Sequence, residues 1–153
     1  NTINPEFEGK RVLLVDDSIV RGNTSRKIVE MARKSGAKKV YFASTAPPVK
    51  YPNVYGIDMP ASSELIASSG DVEKIGKSIG VDKLFYQDLE DLIKSVQFNP
   101  TGPQEFDTSC FSGTYVTENV STEYLEKLEQ IRNDSAKQQS VLSEEPVGIH
   151  NQN

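Results

Sequence analysis

The segment 11–44 constrains the fold more than any other part of the sequence. An apolar run at 11–15 is typical of a buried parallel strand, and it ends abruptly at the acidic pair Asp16 and Asp17. A loop of small polar residues and a helical pattern follow, and a second apolar run occupies 40–44. The order strand, helix, strand within about 35 residues predicts a βαβ unit with a right-handed crossover.

The remaining pattern predicts more helices and a third strand. We expect the first helix to begin at Thr24 or Ser25 as its N-cap and to end at Gly36 in the left-handed conformation. The later expected elements are a short helix at 63–67, a helix capped by Asp71, a strand at 84–86, a helix opened by Asp88 and a last helix at about 122–133. The predicted fold class is α/β, with a parallel sheet flanked by helices.

Composition excludes several classes of protein. The chain of 153 residues has 17 Lys and Arg against 22 Asp and Glu, a net charge of −5, which argues against binding to nucleic acid. One Cys excludes a disulfide framework, and one His, in a polar tail, disfavours a histidine-based active centre. Neither a membrane-spanning stretch nor a signal-peptide pattern is present, so we expect a cytoplasmic protein that does not bind membranes.

The turn after the first strand carries the chemistry. Ligands of open α/β sheets bind at the carboxyl ends of strands, where two adjacent carboxylates could contact vicinal hydroxyl groups. The small hydroxyl-rich loop behind them leads into a helix N-terminus, which favours an anion. This order suits a ribose 5-phosphate, although the loop is not a P-loop. The candidate site residues are Asp16, Asp17, Ser18, Ile19, Val20, Arg21, Gly22, Asn23, Thr24 and Ser25.

Residues 12–25 resemble the phosphoribosyl pyrophosphate (PRPP) motif of type I phosphoribosyltransferases. The form Asp-Asp-Ser-Ile-Val-Arg-Gly is similar to the version in the glutamine PRPP amidotransferase family. The similarity covers roughly residues 9 to 133 and continues through segments at 36–41, 52–60, 87–89 and 113–117. It implies a partial phosphoribosyltransferase domain at 1–98, with an irregular segment and helix at 99–133 packing on it. The remaining residues, 134–153, are rich in Ser, Gln and Glu, which predicts a disordered tail.

The resemblance implies a reaction and roles for residues. Asp16 and Asp17 would contact the ribose 2′- and 3′-hydroxyls and Mg²⁺, and the loop 18–25 would hold the 5′-phosphate. Ammonia derived from glutamine would attack C1 of PRPP, giving 5-phosphoribosylamine and pyrophosphate, the entry step of purine synthesis. Purine nucleotides would be feedback inhibitors, and the full-length enzyme would be a homo-oligomer. We expect a C-terminal fragment that is inactive alone, since the family's glutaminase domain is not in this sequence.

Two positions depart from the family pattern. Asn23 stands where the family usually has Thr, and we expect a mild effect because both side chains can donate to phosphate. Some members hold an iron–sulfur cluster partly through a Cys-x-x-Cys-Phe segment. Here Asp107 occupies the first of these cysteine positions, so we expect Cys110 to be a packed thiol and the protein to have no cluster.

Two alternatives start from the same residues. Response-regulator receiver domains also open with an acidic pair after a strand, and Asp58 falls near the distance of their phosphorylated Asp. Receivers need a later Thr or Ser and a Lys, whereas Asp88 and Cys110 stand at the corresponding distances. The chain could also be another PRPP-binding transferase or regulator, although those usually carry Thr-Gly before the last Thr of the loop.

Overall fold

The computed structural model describes residues 4–117 and 119–144, and it describes side chains up to residue 133. The chain divides into two compact units, Asn1–Val116 and Thr117–Asn153. The helices and strands, in chain order, are α1 Asn4–Phe7, β1 Arg11–Asp16, α2 Asn23–Lys34, β2 Lys39–Ser44, two 3₁₀ helices at Ser62–Glu64 and Ile66–Ser69, α3 Val72–Ile79, β3 Lys83–Tyr86, α4 Leu89–Val96, α5 Ser109–Ser112 and α6 Thr122–Glu144.

Three parallel strands form one sheet in the order β1-β2-β3, which confirms the predicted α/β class. Phe42 lies at the centre of the register, paired with Leu14 on one side and Leu84 on the other. On one face, buried side chains of β2 and β3 pack against α2 and α3 in a single core. Its buried residues are Ile19, Val29, Ala32, Val40, Phe42, Ala67, Ile75, Ile79 and Leu84.

The opposite face of the sheet corrects the expectation that β1 is buried. Leu13 is 57% exposed and Val15 is 63% exposed, and Phe85 on the same face is 43% exposed. Successive side chains of β1 point to opposite faces of the sheet, and the core cluster lies on only one of these faces. The unbroken apolar run gave no alternation from which this difference between the faces could be predicted.

The caps of the helices are partly as predicted. Asp71 and Asp88 are N-caps, and their carboxylates accept hydrogen bonds from main-chain N–H groups of α3 and α4. The prediction of Thr24 or Ser25 as the N-cap of α2 was wrong, because α2 begins at Asn23 with Gly22 as its N-cap. The prediction of a short helix at 63–67 was also wrong, since the extended backbone of Leu65 separates two 3₁₀ helices.

Two further differences concern the second half of the chain. The irregular stretch contains the short helix α5, and its part up to residue 116 belongs to the first unit. Helix α6 continues to Glu144 beyond the expected end near residue 133, because 133–144 contains neither Gly nor Pro. The disordered tail predicted at 134–153 is helical up to Glu144, and its remainder, 145–153, lies outside the described residues. The predicted boundaries after 98 and 133 stay predictions. No described helix is both long and apolar enough to span a membrane.

Candidate functional site

The acidic pair is fixed by the turn that follows β2. Asp16 ends β1, and its carbonyl oxygen accepts a hydrogen bond from the Thr45 N–H at 2.9 Å. The Asp17 carbonyl oxygen accepts from the Ala46 N–H at 2.9 Å and from the Thr45 hydroxyl at 3.2 Å. These bonds extend the β1–β2 pairing beyond the sheet. The backbone under both carboxylates is therefore held in place at the carboxyl edge of the strands.

Each carboxylate also organises the next residue. Asp16 Oδ1 accepts from the Asp17 N–H at 3.0 Å, and Asp17 Oδ1 accepts from the Ser18 N–H at 2.6 Å. Asp16 is half-buried, whereas Asp17 is exposed. The two acidic groups thus have defined orientations at the mouth of the loop, as a site for a cation or for hydroxyl groups requires.

Gly22 turns the chain into α2. Its φ of +76° lies in the left-handed region, and its carbonyl oxygen accepts from the Arg26 N–H at 2.9 Å. The first N–H groups of a helix have no intrahelical acceptor, and no side chain of the described residues caps them here. Together with the helix dipole, these N–H groups favour an anion at the start of α2.

The acidic pair and the loop surround one cavity of about 460 Å³. Ile19 is the exception among the candidate residues, since its side chain is 1% exposed and belongs to the core cluster. It anchors the loop to the core and does not face the cavity. The predicted residues that line the cavity are Asp16, Asp17, Ser18, Val20, Arg21, Gly22, Asn23, Thr24 and Ser25.

Sequence reasoning missed a second segment that contacts this loop. The Ile66 N–H donates to the Val20 carbonyl oxygen at 2.9 Å, and the Glu64 carboxylate pairs with the Arg21 Nε at 2.7 Å. A Cβ added to Gly22 would lie 2.5 Å from Ile66 Cδ1. Because these partners are more than 40 residues apart in the sequence, no local pattern could have found them.

The residues that suggested other chemistry lie outside this cavity lining. Asp58 is exposed in the long loop between β2 and the first 3₁₀ helix, and it does not follow a strand as a receiver phosphorylation site would. Cys110 is a half-buried free thiol in α5. Burial raises the pKa of the Cys110 thiol, and the nearby Asp107 carboxylate raises it further. A raised pKa disfavours the reactive thiolate.

Comparison with known proteins finds relatives that share one name. No family model matches the sequence. Over 152 residues the chain is 56% identical to the amidophosphoribosyltransferase of Pasteurella multocida, covering 99% of this chain and 30% of that protein. It is 52% identical over 153 residues to the amidophosphoribosyltransferase of Escherichia coli K12, again covering 99% of this chain and 30% of the relative. The chain therefore spans about a third of the length of these curated relatives.

Two solved structures with a similar fold are also enzymes of this kind or of purine biosynthesis. The glutamine PRPP amidotransferase of B. subtilis, complexed with ADP and GMP, superposes with a TM-score of 0.65 at 39% identity, covering 82% of this chain and 28% of that one. An allosteric regulatory enzyme of purine biosynthesis gives 0.67 at 41% identity, covering 83% and 28%. The fold is that of the phosphoribosyltransferase domain of these enzymes. More narrowly, the chain is similar to amidophosphoribosyltransferases along 99% of its own length and corresponds to about 30% of theirs.

Proposed function

We propose that this chain is the PRPP-binding part of an enzyme that transfers glutamine-derived ammonia to C1 of PRPP, which gives 5-phosphoribosylamine in purine biosynthesis. One observation carries the proposal. A cavity at the carboxyl edge of the sheet combines two adjacent carboxylates with an uncapped helix N-terminus. The identity to amidophosphoribosyltransferases across 99% of the chain supports the same activity.

The two halves of the cavity suit the two ends of a ribose phosphate. Asp16 and Asp17 can each accept a hydrogen bond from a hydroxyl group, so we assign the 2′- and 3′-hydroxyls to them. The loop 18–25 presents main-chain N–H groups and small hydroxyl side chains, which we assign to the 5′-phosphate. On this assignment, the ribose ring would lie between the carboxylates and the start of α2.

The acidic pair also fits Mg²⁺. Carboxylate oxygens are the ligands that this hard cation prefers, and it is commonly held by one or two carboxylates together with substrate phosphates. Among the described residues, no cluster of three or more His, Cys, Asp and Glu could hold a metal without such help. Bound Mg²⁺ would neutralise the charge that develops on the departing pyrophosphate. Asp16 and Asp17 would hold it at the edge of the ribose site.

The proposal also covers the regulators, the location and the oligomeric state of the protein. The solved relative from B. subtilis is described with ADP and GMP, which supports purine nucleotides as regulators of this protein as well. We also propose a cytoplasmic location, and a protein without an iron–sulfur cluster, because Asp107 stands at the first cysteine position of the cluster-binding segment. A homo-oligomeric full-length enzyme remains part of the same proposal.

The test compares kinetics of the full gene product with those of its Asp16→Asn plus Asp17→Asn variant. We expect the KM for Mg·PRPP to rise at least about ten-fold, because charge-assisted contacts to hydroxyls and metal are lost. Asp58→Asn is the matched control, since it removes an exposed acidic side chain outside the cavity lining and should leave the KM unchanged. Unchanged PRPP kinetics in the double variant would refute the site. Phosphoryl transfer from acetyl phosphate to Asp58 would instead support a receiver.

A further inference from the structure

Three consecutive residues of the loop are each held by the segment 64–66. Val20 receives a main-chain hydrogen bond from Ile66, and Arg21 forms an ion pair with Glu64. Gly22 packs under the Ile66 side chain, so closely that Cδ1 leaves no space for a Cβ. The segment therefore contacts the loop immediately before α2 begins, where the expected phosphate-binding N–H groups start.

The segment 64–66 is itself fixed to the core. Leu65 at its centre is 2% exposed, and Ala67 directly after it is fully buried. Its backbone is tied further by hydrogen bonds of the Leu65 N–H and the Glu64 N–H to the preceding turn. A rigid segment of this kind can set the conformation of the loop, whereas a freely moving one could not.

The charge of Glu64 needs an explanation in a site for a polyanion. By Coulomb repulsion alone, a carboxylate near the loop would weaken the binding of the negatively charged PRPP. Its Oε2 lies 2.7 Å from the Arg21 Nε, so the pair fixes the guanidinium at the rim of the cavity. A positioning role explains the carboxylate, because it orients a cation that lines the same cavity.

We propose that Glu64 and Ile66 are positioning residues for PRPP binding. Glu64 orients the side chain of Arg21, and Ile66 holds the main chain at Val20 and Gly22. The inference rests on the proposed function, since it concerns the ligand assigned to the same loop. It adds two residues that contact the loop and do not line the cavity.

The direction in which Glu64→Gln changes the affinity for PRPP distinguishes a positioning role from a purely electrostatic role. Glu64→Gln removes a negative charge near the anion site, so a purely electrostatic role predicts tighter binding. The positioning role predicts weaker binding, with Kd for Mg·PRPP raised roughly two- to five-fold, the range expected for an exposed ion pair. In an Arg21→Gln background the same substitution should cause no further weakening, because the group that it positions is gone.

Ile66→Val tests the second contact. The substitution deletes only Cδ1, the atom nearest to Gly22, and keeps the main-chain hydrogen bond to Val20. We expect a roughly two- to ten-fold higher Kd for Mg·PRPP, since one buried methyl group is lost from the support of the loop. Ile75→Val is the matched control, because it removes the same methyl from a core residue that neither belongs to the loop nor lines the cavity. It should leave Kd unchanged.

The measurement is isothermal titration of the full gene product with PRPP in the presence of Mg²⁺, with thermal unfolding of each variant alongside. Glu6→Gln is the charge control, since Glu6 forms an exposed ion pair with Lys10 at the amino end of β1. Weaker binding by both variants supports the inference, provided that Ile66→Val lowers the unfolding temperature no more than Ile75→Val does. Tighter or unchanged binding by Glu64→Gln, or equal effects of Ile66→Val and Ile75→Val, overturns it. Failure of the wild-type protein to bind PRPP would overturn the proposed function, and this inference with it.

Discussion

Gly22→Ala is the substitution for which the structure gives the sharpest expectation. The wild-type φ of +76° is strained for any residue with a Cβ, and the added Cβ would lie 2.5 Å from Ile66 Cδ1 and 3.2 Å from Ile79 Cγ2. Both neighbours are branched aliphatic side chains, and Ile79 is 1% exposed in the core. The substitution thus combines two separate costs, one in the backbone and one in packing.

The two costs can be estimated separately. A non-glycine residue in the left-handed region costs about 1–2 kcal/mol, and forcing an additional methyl into a packed core costs about 1–3 kcal/mol. We therefore expect Gly22→Ala to lower the free energy of local opening around α2 by about 2–5 kcal/mol. Gly70 is the matched control, because its φ is +72° and a Cβ there would meet nothing within 4 Å. Gly70→Ala should cost only the backbone strain, about 1–2 kcal/mol.

Amide hydrogen exchange of the full gene product measures both values. Peptides that span α2 report on Gly22→Ala, and peptides that span Gly70 and α3 report on the control, each against the wild-type protein. The packing cost alone, about 1–3 kcal/mol, corresponds to exchange roughly 5- to 150-fold faster than backbone strain would cause. Equal free-energy losses in the two variants would show that Ile66 and Ile79 yield to the new Cβ, and the steric argument would be wrong.

Two other predictions concern ionisable groups. The Asp82 carboxylate accepts hydrogen bonds from Lys39 and from the Val40 N–H, which hold its pKa far below the usual range. The stabilisation by the ionised Asp82 carboxylate is therefore complete above about pH 4 and is lost as the pH falls toward the lowered pKa. We expect Asp82→Asn to lower the free energy of unfolding by about 1–3 kcal/mol at pH 7. The substitution should also flatten the acid limb of a stability–pH profile measured by hydrogen exchange. The Cys110 thiol, whose pKa is raised by burial and by Asp107, should alkylate with iodoacetamide more slowly than glutathione at pH 7.5, and equal rates measured by mass spectrometry would contradict that environment.

Local sequence patterns were enough to predict the framework of the site. The apolar runs predicted all three strands to within one residue at each end. Asp71 and Asp88 were identified as N-caps because an aspartate before a helical pattern satisfies N–H groups a few residues later in the chain. The acidic pair and its loop could be assigned to the carboxyl edge of the sheet for the same reason, since strand, turn and helix are consecutive.

Features that depend on distant partners could not be predicted in this way. The exposed face of β1 follows from the position of the core cluster on the other face of the sheet, which the residues of β1 do not encode. The N-cap of α2 was misplaced because Thr24 and Ser25 are the better local caps, whereas the contact of Gly22 with Ile66 fixes the turn one residue before the helix. Tertiary packing outweighs cap preference here, since a cap is worth only about 1 kcal/mol.

Gly22 shows how far a single residue can be interpreted without its neighbours. A glycine before a helix indicates a left-handed turn, a close approach of another group, or both, and the sequence does not distinguish them. The structure requires both, because φ is +76° and Ile66 Cδ1 occupies the place of the missing Cβ. The same close contact joins the loop to the segment 64–66, whose Glu64 then reaches Arg21. The residue that gives the loop its turn therefore also gives it its support, so a change at Gly22 should affect ligand binding and stability together.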